Sequence, residues 1–82
     1  MLFYVYILQS QSHQKYYVGQ TNNLPLRIAR HNAGLVKSTK SGLPWILIQS
    51  FETADRSSAM ALESKIKKRG IKRYLQDTNR LI

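Results

Sequence analysis

The sequence predicts an α/β fold, a small three-stranded antiparallel sheet flanked by helices in the order β-β-α-β-α-α. Three observations predict it. Leu2 to Gln9 and Tyr16 to Gln20 are rich in β-branched and aromatic side chains, and a polar stretch from Ser10 to Lys15 separates them as in an antiparallel hairpin. A third apolar run covers Trp45 to Phe51. The remaining segments begin at polar caps and space their apolar residues with helical rather than strand periodicity.

In the first strand Phe3, Val5 and Ile7 share one face while Leu2, Tyr4, Tyr6 and Leu8 share the other. Neither face is polar, so the strand should be buried on both sides. In Thr21-Asn22-Asn23-Leu24-Pro25 an Asn can cap a helix, and a proline is tolerated in the first turn because its missing amide would have no partner there. That helix should run to about Asn32. From Ala33 to Pro44, two glycines, a proline, hydroxyl residues and two lysines predict a loop of about a dozen residues, long for so small a chain. The run Ile46, Leu47, Ile48 predicts a central position for the third strand. Asp55 caps the second helix, whose basic last turn Lys67, Lys68, Arg69 precedes Gly70. A third helix from Ile71 to about Thr78 aligns Ile71, Tyr74 and Leu75. With no repeat, low-complexity tract or linker, residues 1–82 read as one domain.

A chain of 82 residues hides only roughly 60–65% of its unfolded surface, so the core is thin. No window reaches the roughly 18 apolar residues that a membrane span needs. There are no cysteines, which removes a disulfide framework or a thiolate zinc site and fits a reducing, cytoplasmic setting. Thirteen Lys and Arg against four Asp and Glu give a formal charge of +9. Phosphate backbones are the usual partner of such an excess, because neutralising them releases condensed counterions. Anionic membrane, ribosomal RNA and plain solubility are rival readings, and charge does not distinguish binding from cutting.

Among the scarce carboxylates, Glu63 stands out. Ala59, Leu62 and Ile66 form the core-facing stripe of the second helix, and Glu63 lies beside it, four residues from Ala59 and three from Ile66. A charge there needs a partner or a cation. A hard metal ion fits, and so does an ion pair with a neighbouring Lys or Arg. On the first helix Arg27 and His31 share a face. The planar guanidinium can clamp a phosphate and the imidazole can move a proton near neutral pH, although a solvated Arg/His face is the plainer alternative. Four of the five tyrosines, Tyr4, Tyr6, Tyr16 and Tyr17, lie in the hairpin. Most belong to the core, with one or two hydroxyls free to face a pocket.

Tyr4-Val5-Tyr6, then ten residues, then Tyr17-Val18-Gly19, then Thr21, Arg27, His31 and Glu63 of Glu63-Ser64-Lys65-Ile66-Lys67 form an ordered set. The set resembles the GIY-YIG nuclease superfamily over nearly the whole chain, most of all its small single-domain bacterial branch. The resemblance implies a three-stranded sheet flanked by helices, and an endonuclease that hydrolyses phosphodiester bonds with one Mg²⁺ or Mn²⁺. It implies that Tyr6 and Tyr17 line the site, with Tyr17 or a neighbour taking a proton from the attacking water. Arg27 would stabilise the phosphate, His31 assist proton transfer and Glu63 hold the metal. Some members also use an Asn in the last helical segment, for which Asn79 is the candidate. Two departures are visible: Tyr4 replaces the glycine opening the first motif, and the residues from Lys68 to Tyr74 do not follow the branch's aromatic and basic order.

DNA is expected as the substrate ahead of RNA, in repair or recombination, with targeting supplied by the basic surface, a homodimer or a protein partner. The alternative is a catalytically idle module whose Lys37, Lys40, Lys67, Lys68, Arg69, Lys72 and Arg73 contact phosphates. A basic face meeting an acidic protein is a weaker third reading.

Overall fold

The computed structural model describes residues 2–79. Strands β1 (Phe3–Ser10), β2 (Tyr16–Thr21) and β3 (Trp45–Thr53) form an antiparallel sheet in the order β2-β1-β3. Helix α1 (Leu24–Asn32) lies between β2 and β3 in sequence, and α2 (Arg56–Arg69) and α3 (Ile71–Asn79) follow β3. This is the predicted element order and fold class.

The central strand is β1, with Val5, Tyr6, Ile7 and Leu8 all buried. Its alternation feeds two cores. On one face Val5 and Ile7 join Val18, Ala59, Ile66 and Leu75, so α2 and α3 cover that side. On the other, Tyr6 and Leu8 join Trp45, Leu24, Ile28 and Leu43, so α1 covers this one.

The predicted central place of β3 is corrected: it is an edge strand, and Ile46, Leu47 and Ile48 remain about two-fifths exposed. The β1–β2 hairpin occupies one side of β1 and leaves β3 only the other. Register shifts between Ile7 and Leu8, which pair with Gln49 and Leu47, so Ile48 is the extra residue at a bulge. An apolar run can thus mark an edge strand when the strand order is set by the hairpin rather than by composition.

Local signals place the helices. Asn23 caps α1 by accepting from the amide of Leu26 at 3.2 Å, with Pro25 in the first turn. Asp55 caps α2 by accepting from the amide of Ser58 at 2.8 Å. Gly70, at φ 93°, provides the left-handed residue that ends α2. Arg69 then makes two hydrogen bonds, 2.7 and 3.1 Å, to the Asp77 carboxylate and ties α2 to α3.

The predicted loop from Ala33 to Pro44 is partly ordered as a 3₁₀ helix, Lys37–Gly42. It has tertiary anchors. The Trp45 indole donates to the carbonyl of Thr39 at 2.7 Å, and the Asn32 side chain bonds both the amide and the carbonyl of Trp45. These contacts press the 3₁₀ helix against the end of α1.

Candidate active site

Strand alternation sends Tyr6 of β1 and Tyr17 and Gly19 of β2 toward α1. In the β1–β2 register Tyr6 faces Gly19 and Leu8 faces Tyr17. The Tyr6 hydroxyl ends 2.9 Å from Nε2 of His31, and Nδ1 of His31 lies 2.7 Å from the hydroxyl of Thr39. Thr39 in turn donates to the carbonyl of Val36 at 3.3 Å. The arrangement that satisfies every atom runs one way: Tyr6 donates to Nε2, the Nδ1 proton goes to Thr39, and Thr39 donates to Val36.

The chain of groups is dry. Tyr6, His31 and Thr39 are each about 1% exposed or less. Tyr17 is half-buried and caps the cluster, its ring centroid 5.1 Å from that of His31 and 6.3 Å from that of Tyr6. Burial pushes the Tyr6 phenol well above its ordinary range, as do Tyr17 and Glu63, while Arg27 opposes them. Burial, then the Arg27 charge, holds the His31 imidazole below its ordinary value, so it stays neutral at physiological pH. Arg27 and Glu63 therefore both act on the Tyr6 hydroxyl although they come from different helices. Of the residues picked from sequence, Tyr6, Tyr17 and His31 pack together, while Arg27 and Glu63 line separate cavities and reach the Tyr6 hydroxyl through their charges.

Glu63 keeps a side chain 19% exposed and pairs with Nζ of Lys67, one turn on, at 2.8 Å. This is the ion pair that the sequence left open. Its hydrogen bond and charge raise the Lys67 ammonium's pKa. Such a pair, with Lys67 59% exposed, is worth less than about 1 kcal/mol, so a cation or an anionic ligand can displace it. Glu63 and Lys67 line a cavity of about 210 Å³ with Gln20, Met60 and Ser64.

The model of the GIY-YIG catalytic domain covers residues 2–75. The chain belongs to the GIY-YIG family. It is 40% identical over 65 residues to a UPF0213 protein of Staphylococcus haemolyticus, covering 78% of each chain. It is 32% identical to a structure-specific endonuclease subunit of Chaetomium globosum, over 99% of this chain but 27% of that one. The solution NMR structure of a UPF0213 protein from Bacillus halodurans superposes with a TM-score of 0.59 at 28% identity, over 96% of this chain and 84% of that one.

In GIY-YIG terms, the second motif's glycine has a packing reason. A Cβ on Gly19 would sit 2.6 Å from the Tyr6 hydroxyl and 3.0 Å from the Tyr17 ring, so only glycine lets the two tyrosines approach. Arg27 lines two cavities at the β2–α1 turn. One, of about 360 Å³, adds Arg30, and the other, of about 330 Å³, adds Gln20 and Arg56. Arg30 and Arg56 are the basic residues beside Arg27, and the sequence reading missed both. Arg30 had a signal, since it lies one turn from Arg27, whereas Arg56 reaches the cavity only through the packing of α2.

The basic residues named from sequence spread over three elements: Lys37 and Lys40 on the 3₁₀ helix, Lys67, Lys68 and Arg69 at the end of α2, and Lys72 and Arg73 on α3. They do not act alike. Lys67 holds Glu63, Arg69 holds Asp77, and Lys72 lines a separate cavity with Tyr16 and Ile48. Asn79 ends α3, and its side chain lies outside the described part of the structure. Two further residues went unread. Thr39 looked like any loop hydroxyl among Ser38 and Ser41. Gln20 carries the one buried side-chain polar atom, Oε1, that lacks a hydrogen-bond partner among the described residues, at a cost of about 1–3 kcal/mol.

Among the described residues no helix is long and apolar enough to cross a membrane.

Proposed function

We propose that this chain is a metal-dependent endonuclease that hydrolyses phosphodiester bonds in DNA. The observation that carries the reading is the packed cluster of Tyr6, Tyr17 and His31, with the Arg27 and Glu63 charges, from two different helices, both acting on the Tyr6 hydroxyl.

Arg27 binds the scissile phosphate and stabilises the charge that grows on it, with Arg30 and Arg56 beside it to hold the flanking backbone. Tyr17, the more exposed phenol, orients the attacking water and takes its proton as its own proton moves inward through Tyr6 to Nε2 of His31. Neutral His31 has the free lone pair this needs, and its depressed basicity makes it release the proton again. The water oxygen bonds to phosphorus, the bond to the leaving oxygen breaks, and the leaving oxygen takes a proton from solvent.

Glu63 would hold one Mg²⁺ or Mn²⁺. No group of three or more His, Asp or Glu side chains gathers among the described residues, so Glu63 would share such an ion with neutral oxygen donors and water, as suits Mg²⁺. The donor set fits: a carboxylate on a cavity, held only by a weak and exposed lysine. The ion supplies Lewis-acid stabilisation of phosphate and leaving oxygen. The similarity to a structure-specific endonuclease subunit, of which this chain spans 27%, supports a substrate chosen by its structure, and its designation as a subunit supports targeting by a protein partner or a second copy.

Plasmid nicking with Mg²⁺ or Mn²⁺ tests this. Wild-type protein should nick, and Arg27→Ala and Glu63→Ala should each lose at least about a hundredfold. Cleavage that survives both substitutions, or needs no metal, overturns the reading. One observation favours the alternative of a non-cleaving module: Lys67 occupies the carboxylate the metal would need. That module would retain DNA with a steep salt dependence and no response to metal.

A further inference from the structure

Gln20 sits where two functions meet. It lines the Glu63 cavity, with Met60, Ser64 and Lys67, and it also lines the Arg27–Arg56 cavity with Phe3, Thr21 and Asn22. Strand alternation explains the first placement: Val18 and Gln20 project to the α2 side of the sheet, opposite to Tyr17 and Gly19. Its position at the end of edge strand β2, next to Thr21 and the turn into α1, explains the second. A residue shared by the carboxylate cavity and the arginine cavity stands between a cation on the first and a phosphate in the second.

Its chemistry is as specific as its place. The amide oxygen Oε1 is buried and accepts no hydrogen bond among the described residues, whereas polar side-chain atoms in native interiors are nearly always paired. An amide oxygen is a hard, neutral donor, the kind that Mg²⁺, Mn²⁺ and Ca²⁺ accept alongside carboxylates. Neutrality matters here. One divalent ion on Glu63 alone keeps a net positive charge that draws phosphate, and an amide adds a bond without cancelling it, as a second carboxylate would.

We infer that Gln20, which lines the same cavity as Glu63, turns its amide oxygen to the divalent ion as a second protein donor, directly or through one bound water. The inference rests on the proposal that Glu63 binds that ion. Gln20 thereby orients the ion toward the Arg27 cavity, which it also lines.

Mn²⁺ binding measured by calorimetry and by the electron paramagnetic resonance of free Mn²⁺, with no nucleic acid present, separates the two claims. Gln20→Leu keeps the size and removes the oxygen, and should weaken Mn²⁺ binding about tenfold while the thermal melt shows a folded protein. Gln20→Glu should bind Mn²⁺ more tightly than wild type yet cleave more slowly, because the added charge repels phosphate. If Glu63→Gln loses the ion while Gln20→Leu binds it as wild type does, the Gln20 inference falls and the Glu63 site stands. If Glu63→Gln binds as wild type does, both fall. Wild-type protein provides a check that needs no folded variant: on titration with Mg²⁺ the ¹³Cδ resonances of Gln20 and Glu63 should shift together. A Gln20 resonance that stays still while that of Glu63 moves overturns the assignment.

Discussion

Replacing Thr39 by Val is the sharpest probe of the buried chain Tyr6–His31–Thr39. Valine matches threonine in shape but has no hydroxyl, so the Nδ1 proton of His31 loses its acceptor at 2.7 Å. His31 and Thr39 are 0% and 1% exposed, so water cannot replace that acceptor without opening the packing under Trp45. A buried donor left unpaired costs about 1–3 kcal/mol. For a chain of this size, about 2 kcal/mol corresponds to a fall of roughly 8–16 °C in Tm. Thr39→Ser keeps the oxygen and loses one methyl group, so it should lose well under half as much. Urea denaturation and calorimetry of the three proteins at pH 7.5 measure the difference. A Thr39→Val variant as stable as wild type, or no more damaged than Thr39→Ser, would refute the reasoning that Thr39 fixes the histidine.

His31 also sets a pH dependence. Its folded value lies below the ordinary 6.5, so as pH falls the unfolded chain takes up the proton first. Stability is then full above about 6.5 and declines below it, by at most about 1.4 kcal/mol per pH unit, until the folded value is passed. Urea midpoints at pH 7.5, 6 and 5 should trace this decline, and a His31→Gln variant should lose this part of it. A wild-type profile no steeper than the variant's would contradict the burial argument. Gly19→Ala puts a methyl group against the Tyr6 hydroxyl and should cost about 1–3 kcal/mol and displace Tyr6 from His31. An unchanged melt together with an unchanged Tyr6 environment by NMR would count against the close approach.

What the chain revealed before folding was mostly local. The caps Asn23 and Asp55, Pro25 in the first turn of α1 and Gly70 at the end of α2 act within a few residues of themselves, and each stands where its chemistry placed it. The two-sided burial of β1 was legible because no face of Phe3 to Ser10 is polar until its end. The edge position of β3 was not, since strand order depends on which partners meet across the chain and not on the apolar content of Ile46, Leu47 and Ile48. At the site, the odd placement of Glu63 beside an apolar stripe could be read from helical spacing, but its pairing with Lys67 rather than with a more distant arginine could not. Thr39 and Arg56 were invisible for a shared reason. One reaches His31 through a 3₁₀ turn held by Trp45, the other reaches Arg27 through the packing of α2, and neither contact has a sequence period.

The central claim is that Glu63 and Arg27 act together on a metal-bound phosphate. A crystal of the protein with a short DNA duplex, soaked in Mn²⁺ and measured at the manganese absorption edge, tests it most directly. The predicted result is one anomalous peak about 2.2 Å from a Glu63 carboxylate oxygen, Lys67 swung away, and a phosphate between that ion and Arg27 with Tyr17 beside it. A map with no peak at Glu63, Lys67 still on the carboxylate and DNA phosphates bound elsewhere on the basic surface would contradict it.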